Sequence, residues 1–133
     1  MDTKFRLVKL MERLPRLHTF GASTPPTASA YDFGRESLAK DWKRVDEIID
    51  WLKEAKIKKI SSINRKQSSY KYKHVVEEQI GYITNGQFIA AAILSGFEYE
   101  WNGPNAYFNM SQKDWNRITS GTTPSASPTP NPN

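Results

Sequence analysis

The sequence predicts a mainly helical α+β domain with a β-hairpin near its C-terminal end. Two stretches, residues 1–14 and 35–56, repeat their apolar side chains every three or four positions, which is the spacing of an amphipathic helix. A later stretch, residues 97–110, instead alternates apolar and polar side chains on both sides of a turn signal at 102–105. These two periodicities favour helices that precede a hairpin.

The composition limits the classes of protein to which the chain can belong. Its 133 residues favour one domain, and its net charge of +5 favours an acidic partner. The chain has no cysteine, which excludes disulfide scaffolds, thiolate zinc sites and cysteine nucleophiles. No apolar run approaches the roughly 18 residues that span a bilayer, and no secretory signal is recognisable. A cytoplasmic protein without a membrane partner is therefore expected.

The N-terminal half is predicted to consist of a helix, a linker and a longer helix. The amphipathic helix at 1–14 ends before Pro15, since the residue that precedes proline avoids the helical region. A helix on a membrane surface is the alternative interpretation of this segment. Residues 15–34 are expected to be a linker, because their proline, serine and alanine side chains offer little to bury. The helix at 35–56 opens the globular domain, which is predicted to cover residues 35–119.

The C-terminal half is predicted to add two helices, a sheet and a tail. Helices are expected at 68–80 and 84–95, and the second is apolar on nearly all sides, which places it in the centre of the core. A third strand is expected at 57–63, because a lone hairpin is only marginally stable. A short helix at 111–118 follows the hairpin. Residues 120–133, rich in serine, threonine and proline, are expected to be a disordered tail.

The residues that most often perform catalysis do not form a recognisable constellation. His74 and Glu78 lie one helical turn apart and could supply two metal ligands, but a solvated or ion-paired face is favoured. Glu98 and Glu100 share one face of a predicted strand, where solvent exposure is favoured over acid–base work. The sequence therefore predicts no enzyme, no metal site and no cofactor. An enzyme remains the alternative if the fold brings these carboxylates and His74 together.

The strongest functional signal is the basic segment of residues 56–74, which holds seven lysine or arginine residues and no aspartate or glutamate. Clustered cations bind nucleic-acid phosphates with release of counterions, and tyrosines among them can stack on unpaired bases. A solvated surface loop is the structural alternative. The residues predicted to contact the nucleic-acid backbone or to stack are Lys58, Lys59, Arg65, Lys66, Tyr70, Lys71 and Lys73. Those predicted to reach base edges from the start of the next helix are Thr84, Asn85 and Gln87.

The predicted order of three helices and a hairpin, with an extra N-terminal helix, resembles the arrangement of a winged helix–turn–helix domain. Within it, residues 73–90 resemble part of a helix–turn–helix motif. Val76, Ile80 and Tyr82 fall at the apolar positions of that motif, and Gly81 falls at its turn. The resemblance implies a nucleic-acid-binding function.

The chain departs from the helix–turn–helix pattern at four positions. Glu77 stands where a small residue is usual, and Gln87 stands where an apolar residue is usual. Phe88 and Ile89 lie where base-reading side chains belong, although apolar side chains offer no donors or acceptors to the groove. The resemblance therefore concerns the arrangement of elements more than the reading residues.

The sequence thus predicts a small binding module without enzymatic activity, with nucleic acid, either DNA or RNA, as the favoured partner. An acidic protein surface is the other partner considered for the basic segment. The alternative function is a protein-interaction module, an adaptor or an inhibitor of a larger complex, that uses the aromatic residues of the hairpin. In size, charge and composition the chain is similar to small proteins of bacterial and phage mobile elements.

Overall fold

The computed structural model describes residues 2–23 and 27–121. Within these ranges the chain is mainly helical, with six helices and two small antiparallel sheets, which confirms the predicted α+β class. The elements in chain order are α1 (Thr3–Arg13), β1 (Leu17–His18), β2 (Gly21–Ala22), α2 (Ala28–Lys40), α3 (Trp42–Glu54), β3 (Lys59–Asn64), α4 (Ser69–Ile80), α5 (Asn85–Leu94), β4 (Tyr99–Asn102), β5 (Asn105–Met110) and α6 (Gln112–Thr119).

The larger sheet has the strand order β3-β5-β4, so that the predicted hairpin gains the predicted third strand on its β5 side. Lys59 pairs with Met110, but Asn64 pairs with Phe108, so the four residues between Lys59 and Asn64 bulge out of the ladder. Asn109, on the central strand, donates from Nδ2 to a backbone carbonyl of the bulge at 3.0 Å. A side chain thus satisfies a backbone group that the irregular ladder leaves unpaired.

The linker expected at residues 15–34 is replaced by the β1–β2 hairpin and by the beginning of α2. The backbone holds this hairpin in place. The carbonyl of Thr19 accepts from the N–H of Gly86 on α5 at 2.9 Å, and Ala22 N–H donates to the Pro104 carbonyl at 2.9 Å. Bonds between backbone atoms do not depend on side-chain type, so the sequence contains no pattern that reveals them. The composition of this segment alone therefore indicated a linker.

Arg35 ties α2 to the end of α1. Its guanidinium donates to the carbonyls of Met11 at 3.0 Å, Leu14 at 3.2 Å and Leu17 at 2.9 Å. Met11 lies in the last turn of α1 and Leu14 caps it, where carbonyls lack the usual partner four residues later. A long-range arginine therefore completes the C-terminal end of α1.

The single helix predicted at 35–56 is two helices, α2 and α3, that meet at Asp41. The apolar stripe nevertheless continues across the break, since Leu38 and Val45 are both fully buried. Asp41 is neither proline nor glycine, so the sequence carries no strong breaker there. The expected tail at 120–133 lies outside the described residues from position 122 onwards.

Helix α5 lies at the centre of the core, as its composition predicts. Phe88, Ile89 and the following alanines are fully buried. Next to Phe88, the Trp115 ring of α6 stacks on Tyr72 of α4, with 4.3 Å between the ring centroids. Since α1, α3 and α4 all contact α5, little of this helix reaches the surface.

The N-terminal end of α5 is closed by a capping box. Thr84 Oγ1 accepts from the Gln87 N–H at 3.0 Å, and Gln87 Oε1 accepts from the Thr84 N–H at 3.0 Å. We expect Thr84→Ala to lower the free energy of unfolding by about 1 kcal/mol in urea denaturation. Thr84→Ser keeps the accepting oxygen and should retain most of the stability. Equal unfolding midpoints for the alanine variant and the wild type would contradict this assignment.

Candidate nucleic-acid interface

The cations of the basic segment 56–74 do not form one surface. Lys58 precedes β3 and Lys59 begins it, Lys66 follows the end of that strand, and Lys71 lies on the outer face of α4. All four side chains are exposed. Lysines of this segment line three different grooves: Lys59 lines one, Lys73 a second and Lys71 a third.

Two other predicted cations are paired with carboxylates of the chain. Arg65 donates through Nε and Nη2 to the two oxygens of Glu100, at 3.0 and 2.5 Å. The hydrogen bonds from Arg65 hold the pKa of Glu100 below its ordinary value. Lys73 is buried, and its Nζ lies 3.1 Å from Glu77 Oε1. Arg65 and Lys73 were both predicted to contact phosphates, but each is paired with a carboxylate of the chain itself.

The three residues predicted to read base edges have structural roles in α5. Thr84 and Gln87 form the capping box, and Gln87 is buried. Asn85 is buried as well, and its Nδ2 donates to Asn105 Oδ1 at 2.8 Å. The β1–β2 hairpin covers this end of the helix, so α5 cannot enter a major groove and bring Asn85 and Gln87 to base edges in that way. Tyr82, expected at an apolar position, is 70% exposed.

A groove of about 440 Å³ lies where the C-terminal ends of α3 and α5 meet α1 and the beginning of β3. Four cationic side chains line it: Arg6, Lys53, Lys56 and Lys59. We call it the basic groove. Within the described ranges, none of the four has a carboxylate oxygen within 4.0 Å.

Three of the four cations of the basic groove are positioned by different local features. Arg6 donates to the free carbonyl of Leu94 at the end of α5. Lys56 turns the chain after α3 with a left-handed backbone, at a φ of 59°. The Lys59 ammonium lies 4.8 Å from the centroid of the Phe97 ring. Arg6, Lys53 and Lys56 are not among the site residues predicted from the sequence. Arg6 could not be found in this way, because no local pattern brings an N-terminal helix beside residue 56.

A second groove, of about 540 Å³, lies at the opposite end of α5 and has exposed aromatic rings at its rim. We call it the aromatic groove. Phe20 of the β1–β2 turn, Tyr70 of α4 and Tyr82 of the α4–α5 loop are 58%, 53% and 70% exposed. The other lining residues are Lys73, Thr84, Asn85, Pro104 and Asn105. Four predicted site residues therefore meet here: Tyr70, Lys73, Thr84 and Asn85.

The ammonium of Lys73 lies between two rings of the aromatic groove. It is 5.8 Å from the Tyr70 centroid and 5.1 Å from the Tyr82 centroid. Its charge is balanced by Glu77, which also bonds His74 Nδ1 at 2.7 Å. Partial burial raises the pKa of Glu77, but the hydrogen bonds from Lys73 and His74 outweigh it and hold that pKa below its ordinary value. Glu77 therefore stays ionised at neutral pH and keeps the groove nearly neutral.

The two grooves are separated by the length of α5, which is roughly 14 Å for a helix of this size. In the described part of the chain, no group of three or more histidine, aspartate or glutamate side chains is placed to hold a metal ion. None of the helices within residues 2–23 and 27–121 combines the length and apolar character that crossing a membrane requires.

Comparisons of the chain with protein-family models, with curated proteins and with solved structures find no match.

Proposed function

We propose that the protein is a small non-enzymatic module that binds nucleic acid, with the phosphates held in the basic groove. The observation that carries this proposal is the convergence of four cations from separate elements, with no carboxylate beside them among the described residues. Like charges that are gathered without counter-charges repel one another, and a polyanion relieves that repulsion while releasing its own counterions.

The order of the elements supports the same proposal. Helices α3, α4 and α5 followed by the β4–β5 hairpin, with β3 as the third strand, have the order of a winged helix–turn–helix. In such domains the helix at the position of α5 enters the major groove. Here that helix is covered by the β1–β2 hairpin, through the bond between Thr19 and Gly86. We therefore propose that phosphates are bound at the C-terminal end of α5, by the basic groove, without insertion of the helix into DNA.

The proposal is tested by the salt dependence of binding. Gel-shift or anisotropy titrations with mixed DNA and RNA should show an affinity that falls as salt is added. The logarithm of the affinity should fall linearly with the logarithm of the salt concentration. Replacing Lys53 and Lys59 by Gln and Lys56 by Asn removes three charges, and asparagine tolerates the left-handed backbone at position 56. We expect about a tenfold or greater loss of affinity and a slope shallower by about 2 to 3, since each phosphate contact contributes about 0.7 to 0.9.

A matched control removes the same charge from another surface. Lys40, Lys43 and Lys113 are exposed and do not line the basic groove, and their replacement by Gln should leave most of the affinity intact. Absence of binding at low salt would contradict the proposal. An equal loss of affinity in the test and control variants would also contradict it, because it would show that total charge, and not the basic groove, determines binding.

The exposed part of Trp101 favours protein interaction as the second candidate function. Its ring is 38% exposed, meets Tyr99 edge to face at 5.1 Å, and lines a small apolar cleft of about 120 Å³ with Leu14 and Pro15. Aromatic side chains in such positions often anchor interfaces. This function is favoured if the protein binds no nucleic acid and instead retains one stoichiometric protein after nuclease treatment, with loss of that protein in Trp101→Ala.

A further inference from the structure

We propose that the aromatic groove holds an unstacked nucleobase, so that the nucleic acid bound by this protein is single-stranded. This inference rests on the proposed function and specifies its substrate. It concerns Phe20, Tyr70 and Tyr82, which surround a groove at the opposite end of α5 from the basic groove.

The rim of the groove offers aromatic faces to a flat ligand. Phe20, Tyr70 and Tyr82 come from three different elements and are all more than half exposed. Large side chains exposed together commonly mark a binding surface. Bases in a duplex are already stacked on each other, whereas bases of a single strand are free to stack on protein rings, which is how many single-strand-binding proteins hold them.

Between the rings, polar side chains line the groove without a net charge. The Lys73 ammonium is balanced by Glu77, so this groove does not suit a phosphate as well as the basic groove does. The carboxamides of Asn85 and Asn105 line the aromatic groove and bond each other at 2.8 Å. Asn85 is 93% buried, and its Oδ1 accepts no hydrogen bond from any described residue. A buried acceptor without a partner is unfavourable and is expected to gain a donor on binding.

A nucleobase matches this combination of aromatic rings and a few polar lining side chains better than a proline-rich peptide does. Prolines also dock on aromatic side chains, but their rings carry no hydrogen-bond donors or acceptors. A base has an apolar face for the tyrosines together with donors and acceptors along its edge. Exposed Lys66 precedes α4 and exposed Lys71 follows Tyr70, so cations for the adjoining phosphates are close in the chain.

The test compares two probes of equal length and charge, a single-stranded thymidylate oligonucleotide and an abasic oligonucleotide, with the full chain at low salt. Tyr70→Ala with Tyr82→Ala should lower affinity for the thymidylate probe at least about tenfold, because each stacked base contributes substantially. Affinity for the abasic probe should stay unchanged. Replacing both tyrosines by Phe keeps the rings and should keep most of the binding. Because both side chains are exposed, the variants are expected to fold.

Phe5→Ala with Phe33→Ala is the matched control, since these rings are 55% and 61% exposed and lie outside the groove. This control should bind both probes as the wild type does. Equal affinity of the wild type for the two probes, with no effect of the tyrosine changes, would overturn the base site and leave the proposed function standing. Failure to bind either probe would overturn both. Tyrosine-dependent binding of a synthetic peptide of residues 122–133, without such dependence for thymidylate, would show a proline-binding groove and overturn the inference.

Discussion

Replacing Gly86 by Ala is expected to separate the β1–β2 hairpin from α5 and to lower the free energy of unfolding by about 3 kcal/mol or more. A Cβ at this position would lie 1.9 Å from the carbonyl oxygen of His18 and 2.8 Å from the carbonyl carbon of Thr19. Both are backbone atoms, so neither can move aside by a change of rotamer. The same substitution would otherwise favour the helix by about 1 kcal/mol, because alanine is the better helix former. A loss of stability therefore reports the close approach and not helix propensity.

Urea unfolding and hydrogen exchange at the hairpin measure this effect. In Gly86→Ala, the amide of Ala22, which bonds the Pro104 carbonyl in the wild type, should lose its protection. Gly103→Ala is the control, since no atom lies within 4 Å of a Cβ there and only the left-handed backbone, with φ of 62°, opposes the change. That variant should cost about 1 kcal/mol. Wild-type stability and wild-type protection in Gly86→Ala would show that the hairpin is not held against α5 as described.

Trp115→Ala is expected to lower the free energy of unfolding by about 3 to 5 kcal/mol, a large share of the stability of a domain of this size. The Trp115 ring is fully buried and stacks on Tyr72 at 4.3 Å and on Trp51 at 5.7 Å between centroids. It also meets Phe88 of α5 edge to face at 6.2 Å. Its removal would leave a cavity at the junction of α3, α4, α5 and α6, where backbone elements on every side limit collapse.

The control for this prediction is Trp101→Ala, because Trp101 is partly exposed at the edge of the sheet and leaves a smaller cavity. Equilibrium unfolding in urea, followed by far-UV circular dichroism, should give a midpoint for Trp115→Ala well below that of the control. Where Trp115→Ala does not fold, Trp115→Phe keeps part of the stacking and should show an intermediate midpoint. Equal midpoints for the alanine variants at 101 and 115 would contradict the central role of Trp115.

The sequence predicted those elements whose limits are set by local chemistry. Helices α4 and α5 begin and end within one residue of their expected positions, because Gly81, Gly96 and the Thr84 cap act on their own neighbours. The hairpin and its third strand were predicted on similar grounds, from alternation and from the instability of a lone hairpin. By contrast, the break at Asp41 carries no proline or glycine, and the β1–β2 hairpin depends on backbone bonds to distant residues.

The candidate site was predictable as a set of residue types but not as a place. Sequence proximity grouped Lys59 and Lys73 in one basic segment, yet they line grooves at the two ends of α5. Arg6 and Lys53, which share a groove with Lys59, are 53 and 6 positions from it in the chain.

The sequence by itself determined the helical periodicity, the central position of α5 and the excess of positive charge, because each depends on neighbouring side chains or on composition. Only the tertiary structure decided which cations converge, which are matched by Glu77 or Glu100, and that the N-terminal hairpin covers α5. Those outcomes depend on distances between residues far apart in the chain. Such distances are set by the packing of the whole domain and leave no local pattern.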